Sequence, residues 1–315
     1  MKKKRQLKRH PVIFGEVLFD HFPDGSAVLG GAPFNVAWHL QGFGHAPLFI
    51  SRVGDDESGH RVKRAMQQWG LDIAGVQTDG QHPTGTVEIS FEGAQHSFNI
   101  LPDQAYDHID AGLTQQAIGA VEPALLYHGT LIARTPAVRH VLDDLVTITK
   151  APVFVDLNLR DPWWHEDHLT PLLDRARWVK VNEEELGLVA KRLGLRPKSI
   201  ENAARSIHAN YQLDSLLVTL GEHGAMAVDS SGDLVRVEPD REIEVVDTVG
   251  AGDAFASVVL LGLLEGWTTA IIMTRAQSFA SRICAQRGAT SADTEMYRAL
   301  MHRWATDNGN VQPSD

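Results

Sequence analysis

The residues Asp247-Thr-Val-Gly-Ala-Gly-Asp253 stand directly before an apolar, helix-forming run over 254–264. The first amides of a helix have no partner inside it, and the macrodipole puts partial positive charge there. Gly250 and Gly252 have no side chains to keep an anion away, so the amides of Gly250, Ala251 and Gly252 form a ready anion site. Asp253 plants a carboxylate inside that site. An acid facing a bound phosphate has an obvious use: it takes the proton from whatever attacks the phosphorus. The same stretch also reads as an ordinary tight turn with an Asp cap. It is neither a Walker A loop, since no Gly-Lys-Ser/Thr follows, nor the dinucleotide fingerprint, which needs a third glycine.

Other constellations bear on the choice. Gly30-Gly31-Ala32-Pro33-Phe34-Asn35 opens a second helical stretch. Its glycines let backbone approach a ligand, Pro33 suits a first helical turn, and Asn35 could bond a sugar hydroxyl; a loop required only for packing reads the same way. Asn182-Glu183-Glu184-Glu185 starts another helix. Acids there suit the dipole alone, yet Asn182 and Glu185 share a face and could organise a hydrated Mg²⁺. A strand ending at Thr219 runs into Gly221-Glu222-His223-Gly224, a plausible ligand edge of an α/β sheet, and 153–157 brings Asp156, Asn158 and Arg160 to a similar edge. Arg160 could pair with a phosphate or with a neighbouring Asp. The fifteen histidines show no metal-ligand spacing, and His165 and His168 read as surface residues.

Short apolar runs (12–19, 48–53, 124–128, 153–157, 178–181, 216–220, 225–228) must carry these residues. They alternate with helical segments (32–42, 57–69, 113–120, 136–149, 183–192, 200–209, 253–264, 268–287, 293–305). Continuous apolar strands separated by helices predict an α/β fold with a mostly parallel sheet covered on both faces. The region 84–101 breaks this rhythm: two alternating strands meet at Glu92-Gly93-Ala94, and 20–29 around Pro23-Asp24-Gly25 is a candidate partner. A small antiparallel β lid on one domain over 11–310 is expected, after a basic, flexible tail over 1–10.

Composition bounds the partners. The chain has 315 residues and a net charge of −11, which argues against nucleic acid as a partner. Cys284 is the single cysteine. It fits a reducing, cytoplasmic setting and reads as a buried thiol in a helix. No window approaches a membrane span.

Taken in order, the motifs resemble the PfkB-type carbohydrate kinases, the ribokinase-like family. The pieces are Gly30 to Ala37, Val53-Gly54-Asp55-Asp56 with Gly59, Pro83-Thr84-Gly85, Asp156-Leu157-Asn158-Leu159-Arg160, Asn182 to Glu185, Thr219-Leu220-Gly221 and Asp247 to Asp253. The resemblance implies a ribokinase-like fold, ATP and Mg²⁺, and phosphoryl transfer to a sugar hydroxyl. It implies Asp253 as base and the amides of Gly250, Ala251 and Gly252 as the anion hole. Asp20, Gly30, Gly31 and Asn35 would hold the sugar, with Arg160 close by. Asn182 and Glu185 would organise Mg²⁺ through water. Thr219, Gly221, Gly224, Gln277 and Ser278 would line the nucleotide, and Asp247 with the Val249 carbonyl matches a monovalent-cation (K⁺) position. Gly15-Glu16-Val17 and Gly129-Thr130-Leu131 look most like the fructokinase branch. The absence of Lys and Arg over 71–133 favours a neutral sugar over a sugar phosphate; Arg134 or Arg160 would have to supply any such grip. Other sugars, keto-deoxy sugar acids and a non-catalytic sensor on the same fold are the alternatives. A homodimer through the lids is a further expectation.

Overall fold

The computed structural model of the chain describes residues 9–92, 95–240 and 243–307. Its first apolar run divides in two. The sequence reads 12–19 as one strand, but the structure has β1 (Arg9–Phe14) and β2 (Leu18–His21) in different sheets. The break is at Gly15, where a Cβ would lie 2.1 Å from Pro33 Cγ. A glycine in a strand-like run marks such a close approach. Arg9 and His10, grouped with the tail in the sequence reading, belong to β1; residues 1–8 lie outside the described residues.

The chain continues with β3 (Ala27–Gly30), α1 (Ala32–Gly42), β4 (Leu48–Gly54), α2 (Glu57–Trp69), β5 (Val76–Asp79), β6 (Gly85–Glu92) and β7 (Gln95–Ile100). Next come α3 (Ala111–Ile118), β8 (Glu122–His128), α4 (Pro136–Thr149), β9 (Val153–Asp156), α5 (Glu166–Asp174), β10 (Ala176–Asn182), α6 (Glu183–Arg192) and α7 (Ile200–Tyr211). The last elements are β11 (Ser215–Thr219), β12 (Ala225–Val228), β13 (Leu234–Val237), α8 (Ala251–Glu265), α9 (Thr269–Cys284) and α10 (Thr294–Asp307). Strands β5 and β13 and helix α5 have no counterpart in the sequence reading. The two strands are four residues long and partly polar, and α5 carries Pro171 inside it.

The large sheet runs β13-β12-β11-β10-β9-β8-β1-β4-β5. It is parallel except at β12, which runs antiparallel to both β11 and β13. Both faces are covered, so neighbouring residues on one strand enter different cores. Ile13, Tyr127 and Phe154 pack with α1, α2, α8, α9 and α10. Phe14, Leu126 and Val155 pack with α3 to α7.

The small sheet runs β3-β2-β6-β7. It is antiparallel within its two hairpins and parallel where β2 meets β6. Gly25, at φ +84°, supplies the turn between β2 and β3, where the Phe22 amide donates to the Ser26 carbonyl. Gly93 and Ala94, read from sequence as the other turn, lie outside the described residues.

Candidate active site

Strand order reverses between β1 and β8, and the carboxyl ends of strands at such a switch point are where open α/β sheets bind ligands. Glu16 follows β1 there, Asp156 ends β9, Asn182 ends β10 and Thr219 ends β11. Helices α1 and α8 bring in Asn35 and Asp253. The Asn35 Nδ2 group donates to Asp253 Oδ2 at 2.8 Å, joining residues 218 apart in sequence. The β2–β3 register sets Leu18 against Gly30. A Cβ on Gly30 would lie 3.3 Å from Asp20 Oδ2, and one on Gly31, at φ +107°, 2.8 Å from the Glu16 carbonyl oxygen. The glycines therefore let the small sheet and the start of α1 close on one another. Asp20, Gly30, Gly31, Asn35 and Asp253 come together as the sequence motifs imply.

Three carboxylates share this corner. Burial pushes Asp253 up to about 6, against the opposing bond from Asn35; Asp156 pushes further up, and Lys180 and Arg160 pull down. Burial likewise pushes Asp20 up to about 6, with Arg160 opposing. Glu16 is 3% exposed and pushed up to about 7, chiefly by burial, with the Asp253 charge adding to it. Its Oε2 and the Oδ1 of Asn35 are buried without a protein partner. The amide oxygen of Asn35 is an acceptor, and Glu16, held near 7, accepts when ionised and donates when protonated.

Lys180 supplies the positive field that the net charge withholds. Its Nζ donates to both Asp156 oxygens at 2.9 and 3.0 Å, and lies 3.5 Å from where a Cβ on Gly252 would stand. Burial works against its charge, but Asp156, with Glu185 and Asp253, outweighs that and raises its pKa. Sequence reasoning missed both Glu16 and Lys180. A signal existed for Lys180: it sits between Val179 and Val181 in a strand buried on both faces, where a charge must be paired.

The glycine-rich helix start opens at Gly250, which caps α8 at φ +78°; a Cβ there would lie 2.3 Å from the Ala289 Cβ. The Ala289 carbonyl is held by His39 Nε2 at 2.9 Å, and His39 Nδ1 meets the Tyr297 hydroxyl at 2.7 Å. His39 and His128 are fully buried. Burial pushes His39 down to about 4, so it is neutral. Two other histidines, His82 and His108, gather with Asp103 at metal-ligand spacing that their sequence positions did not show. Asp247 Oδ1 accepts the Val249 amide and Oδ2 the Gly288 amide, each at 3.0 Å, bracing the loop that leads into α8. Cys284 is half-buried rather than buried, and its carbonyl accepts the Val246 and Asp247 amides.

On the other flank, Asn182 and Glu185 form a reciprocal capping box. Asn182 Oδ1 accepts the Glu185 amide and Glu185 Oε2 the Asn182 amide, both at 2.8 Å. Glu185 Oε1 also accepts the Leu159 amide at 2.7 Å, tying α6 to the loop after β9. Thr219 pairs with Asn182 in register. Gly221 and Gly224 have φ of +57° and +84°, and a Cβ on Gly224 would lie 2.1 Å from the Val237 carbonyl. Ser278 lines a cavity of about 270 Å³ with Thr274 and residues 237–240. Gln277 is not among its lining residues and donates instead to Ser281. Arg160 is exposed on the site, where its charge acts on Glu16, Asp20 and Asp253. Arg134 is bound to both Asp107 oxygens and the Leu101 carbonyl and stacked over Trp163, and its charge also acts on Glu16.

A model of the pfkB family of carbohydrate kinases matches residues 8–296. The chain belongs to that family. This carbohydrate kinase is 30% identical over 264 residues to a fructokinase of Klebsiella pneumoniae, covering 80% of this chain and 83% of that one. Its fold matches the crystal structure of Xylella fastidiosa fructokinase with bound ATP at TM-score 0.82, with 21% identity over 95% of this chain and 100% of that chain. It also matches Vibrio cholerae fructokinase in a fructose-, ADP- and calcium-bound form at TM-score 0.77, with 24% identity over 93% and 99% of the two chains. The fold of the carbohydrate kinase is therefore ribokinase-like. Among its described residues no helix is long and apolar enough to cross a membrane.

Proposed function

We propose that this carbohydrate kinase transfers the γ-phosphoryl group of ATP to a hydroxyl of a neutral monosaccharide, with fructose the first choice. The observation that carries the reading is the 2.8 Å bond from Asn35 to Asp253, which sets a carboxylate at a helix start in a corner where Glu16 Oε2 and Asn35 Oδ1 lack a protein partner. A sugar hydroxyl both donates and accepts, so it suits Asn35 Oδ1 and either protonation state of Glu16. Asp253, buried enough to titrate near 6, is ionised at neutral pH yet basic enough to take a hydroxyl proton. As the hydroxyl oxygen bonds to the γ-phosphorus, its proton passes to Asp253 and the bond to the bridging oxygen of ADP breaks. The amides of Gly250, Ala251 and Gly252, with the Lys180 cation beside Gly252, stabilise charge on the moving phosphoryl. The small sheet keeps water from the acceptor.

The remaining assignments belong to the same proposal. Thr219, Gly221 and Gly224 take the nucleotide, with Ser278 toward the base; Gln277, bonded to Ser281, is the weaker candidate. Mg²⁺ fits the Asn182–Glu185 corner as a hydrated ion, since each Glu185 oxygen keeps one lone pair beyond its amide bond. When bound it neutralises charge on the ATP phosphates. A monovalent cation beside Asp247 and the Val249 carbonyl fits in the same sense, as both Asp247 oxygens keep a lone pair. Exposed Val28 and Phe98 on the small sheet favour a homodimer through that face.

Fructose is favoured by the Klebsiella relative and by the engagement of Arg134 with Asp107, which removes one cation that could hold a sugar phosphate. Exposed Arg160 favours a sugar acid as the second reading. The test is ADP release with a panel of fructose, other hexoses, ribose, 2-keto-3-deoxygluconate and fructose 6-phosphate. Fructose is expected to give the highest kcat/KM. Preference for the keto-deoxy acid would select the second reading, and ligand binding without ADP release from any sugar would leave a sensor.

A further inference from the structure

Away from the residues assigned above, the stems of the small sheet bring together three side chains that the proposed kinase reaction does not use. His82 lies just before β6, and Asp103 and His108 lie just after β7. One ligand atom from each lies within 4.8 Å of the other two. Asp103 Oδ1 is 2.7 Å from His108 Nε2 and 3.7 Å from His82 Nε2. These values bracket the ~3.4 Å edge of a tetrahedron with metal–ligand bonds of about 2.0–2.1 Å.

Asp79 orients His82. His82 Nδ1 meets Asp79 Oδ2 at 3.0 Å. Asp79 is 3% exposed, and its other oxygen accepts the amides of Gln81 and His82 at 2.8 and 3.1 Å. Arg52 Nε is 3.0 Å from Asp79 Oδ2, and another Arg52 nitrogen donates to the His108 carbonyl. A carboxylate that takes the Nδ1 proton of a histidine fixes the tautomer whose Nε2 is a bare lone pair. In His82 the Asp79 contact at Nδ1 leaves Nε2 turned toward Asp103 Oδ1, 3.7 Å away, and the same Asp103 oxygen is 2.7 Å from His108 Nε2. The imidazole rings of His82 and His108 lie parallel, 3.6 Å apart and 11° from coplanar, beside a cavity of about 840 Å³ that His140 and Asp110 also line.

We propose that His82, Asp103 and His108 bind a first-row divalent transition ion, Zn²⁺ in the first instance, with Asp79 orienting His82. Two imidazoles and one carboxylate suit such an ion, and three protein ligands leave a coordination position open. Binding requires the stacked rings to open into a wedge, so that the ion lies in both ring planes. The ion ties the stem entering the small sheet to the stem leaving it, which makes it a clip at the sheet's base.

The test uses untagged, metal-stripped full-length protein titrated with Zn²⁺ by calorimetry and with Co²⁺ by visible absorption. One ion per chain and a Co²⁺ ligand-field band are expected. His82→Ala and His108→Ala should each abolish the band, and Asp79→Asn should weaken Zn²⁺ binding by about 10–100-fold, the usual cost of losing the carboxylate that orients a ligand histidine. Thermal unfolding of each metal-free variant checks its fold, with His82→Gln and His108→Asn replacing any alanine variant that fails. A wild-type protein that takes up neither ion at excess overturns the proposal. So does Zn²⁺ affinity unchanged in folded His82 and His108 variants, which would place the ion elsewhere on the surface.

Discussion

Removing the Asn35 side chain should move the pH at which the kinase loses activity. Asn35 Nδ2 donates to Asp253 Oδ2 at 2.8 Å in a partly buried setting, and this bond opposes the burial that raises Asp253 to about 6. A hydrogen bond to an ionised group contributes roughly 1.5–3 kcal/mol. Dividing by 1.36 kcal/mol per pH unit gives a rise of about 1–2 units in Asn35→Ala, to roughly 7–8. The base works only when ionised. At pH 7 the variant should therefore lose about 2- to 10-fold in kcat/KM through protonation alone. Loss of a sugar contact adds to this at every pH, whereas the protonation loss is recovered toward pH 9. The assay is ADP release across pH 5–9 with wild type and Asn35→Ala. An acid limb that stays near 6 in the variant while KM for the sugar rises would make Asn35 a sugar contact only, and would refute the coupling to Asp253.

Two further outcomes follow from the same corner. Gly250→Ala forces a side chain into positive φ and places its Cβ 2.3 Å from that of Ala289. Unfolding in urea should show a loss on the order of 2–5 kcal/mol, from the backbone strain and overpacking together; an unchanged midpoint would contradict the close packing of this loop. Glu16 is held at about 7 against an ordinary 4.5, so its contribution to stability is present below about 4.5 and lost as pH rises through 7. The difference of 2.5 (about 7 minus 4.5) corresponds to at most about 3.4 kcal/mol. Glu16→Gln should therefore be more stable than wild type at pH 8 and gain little at pH 5; equal gains at both would mean the carboxylate is not destabilised by burial.

Local chemistry made most helices readable. Pro33 and Pro136 in first turns, Asp56 as an N-cap and Gly70 just past a C-terminus give α1, α4 and α2 the bounds expected from sequence. The strand boundary at Gly15 was hidden because its cause, Pro33, is remote in sequence. The helix-start motifs were legible for the same local reason as the helices, and so were Asp253 and Asn35 individually; their mutual bond depends on how α1 and α8 pack. Glu16 stands in the Gly15-Glu16-Val17 motif without a role of its own being legible there, and Lys180 carries no motif at all. Their importance comes from groups on other elements, Lys180 through Asp156 on β9 and Glu16 through Asp253 on α8. His82, Asp103 and His108 were equally opaque, because the two stems of the small sheet bring them together only in the fold.

The most direct measurement is turnover by Asp253→Asn with its best sugar, alongside ATP binding by the same protein. The change keeps the size of the side chain at the start of α8 and removes the base. A loss of about 10²–10⁴ in kcat, the span typical of a general base, with ATP still bound, is expected. Turnover at the wild-type rate would contradict the assignment of Asp253 as the group that takes the sugar proton.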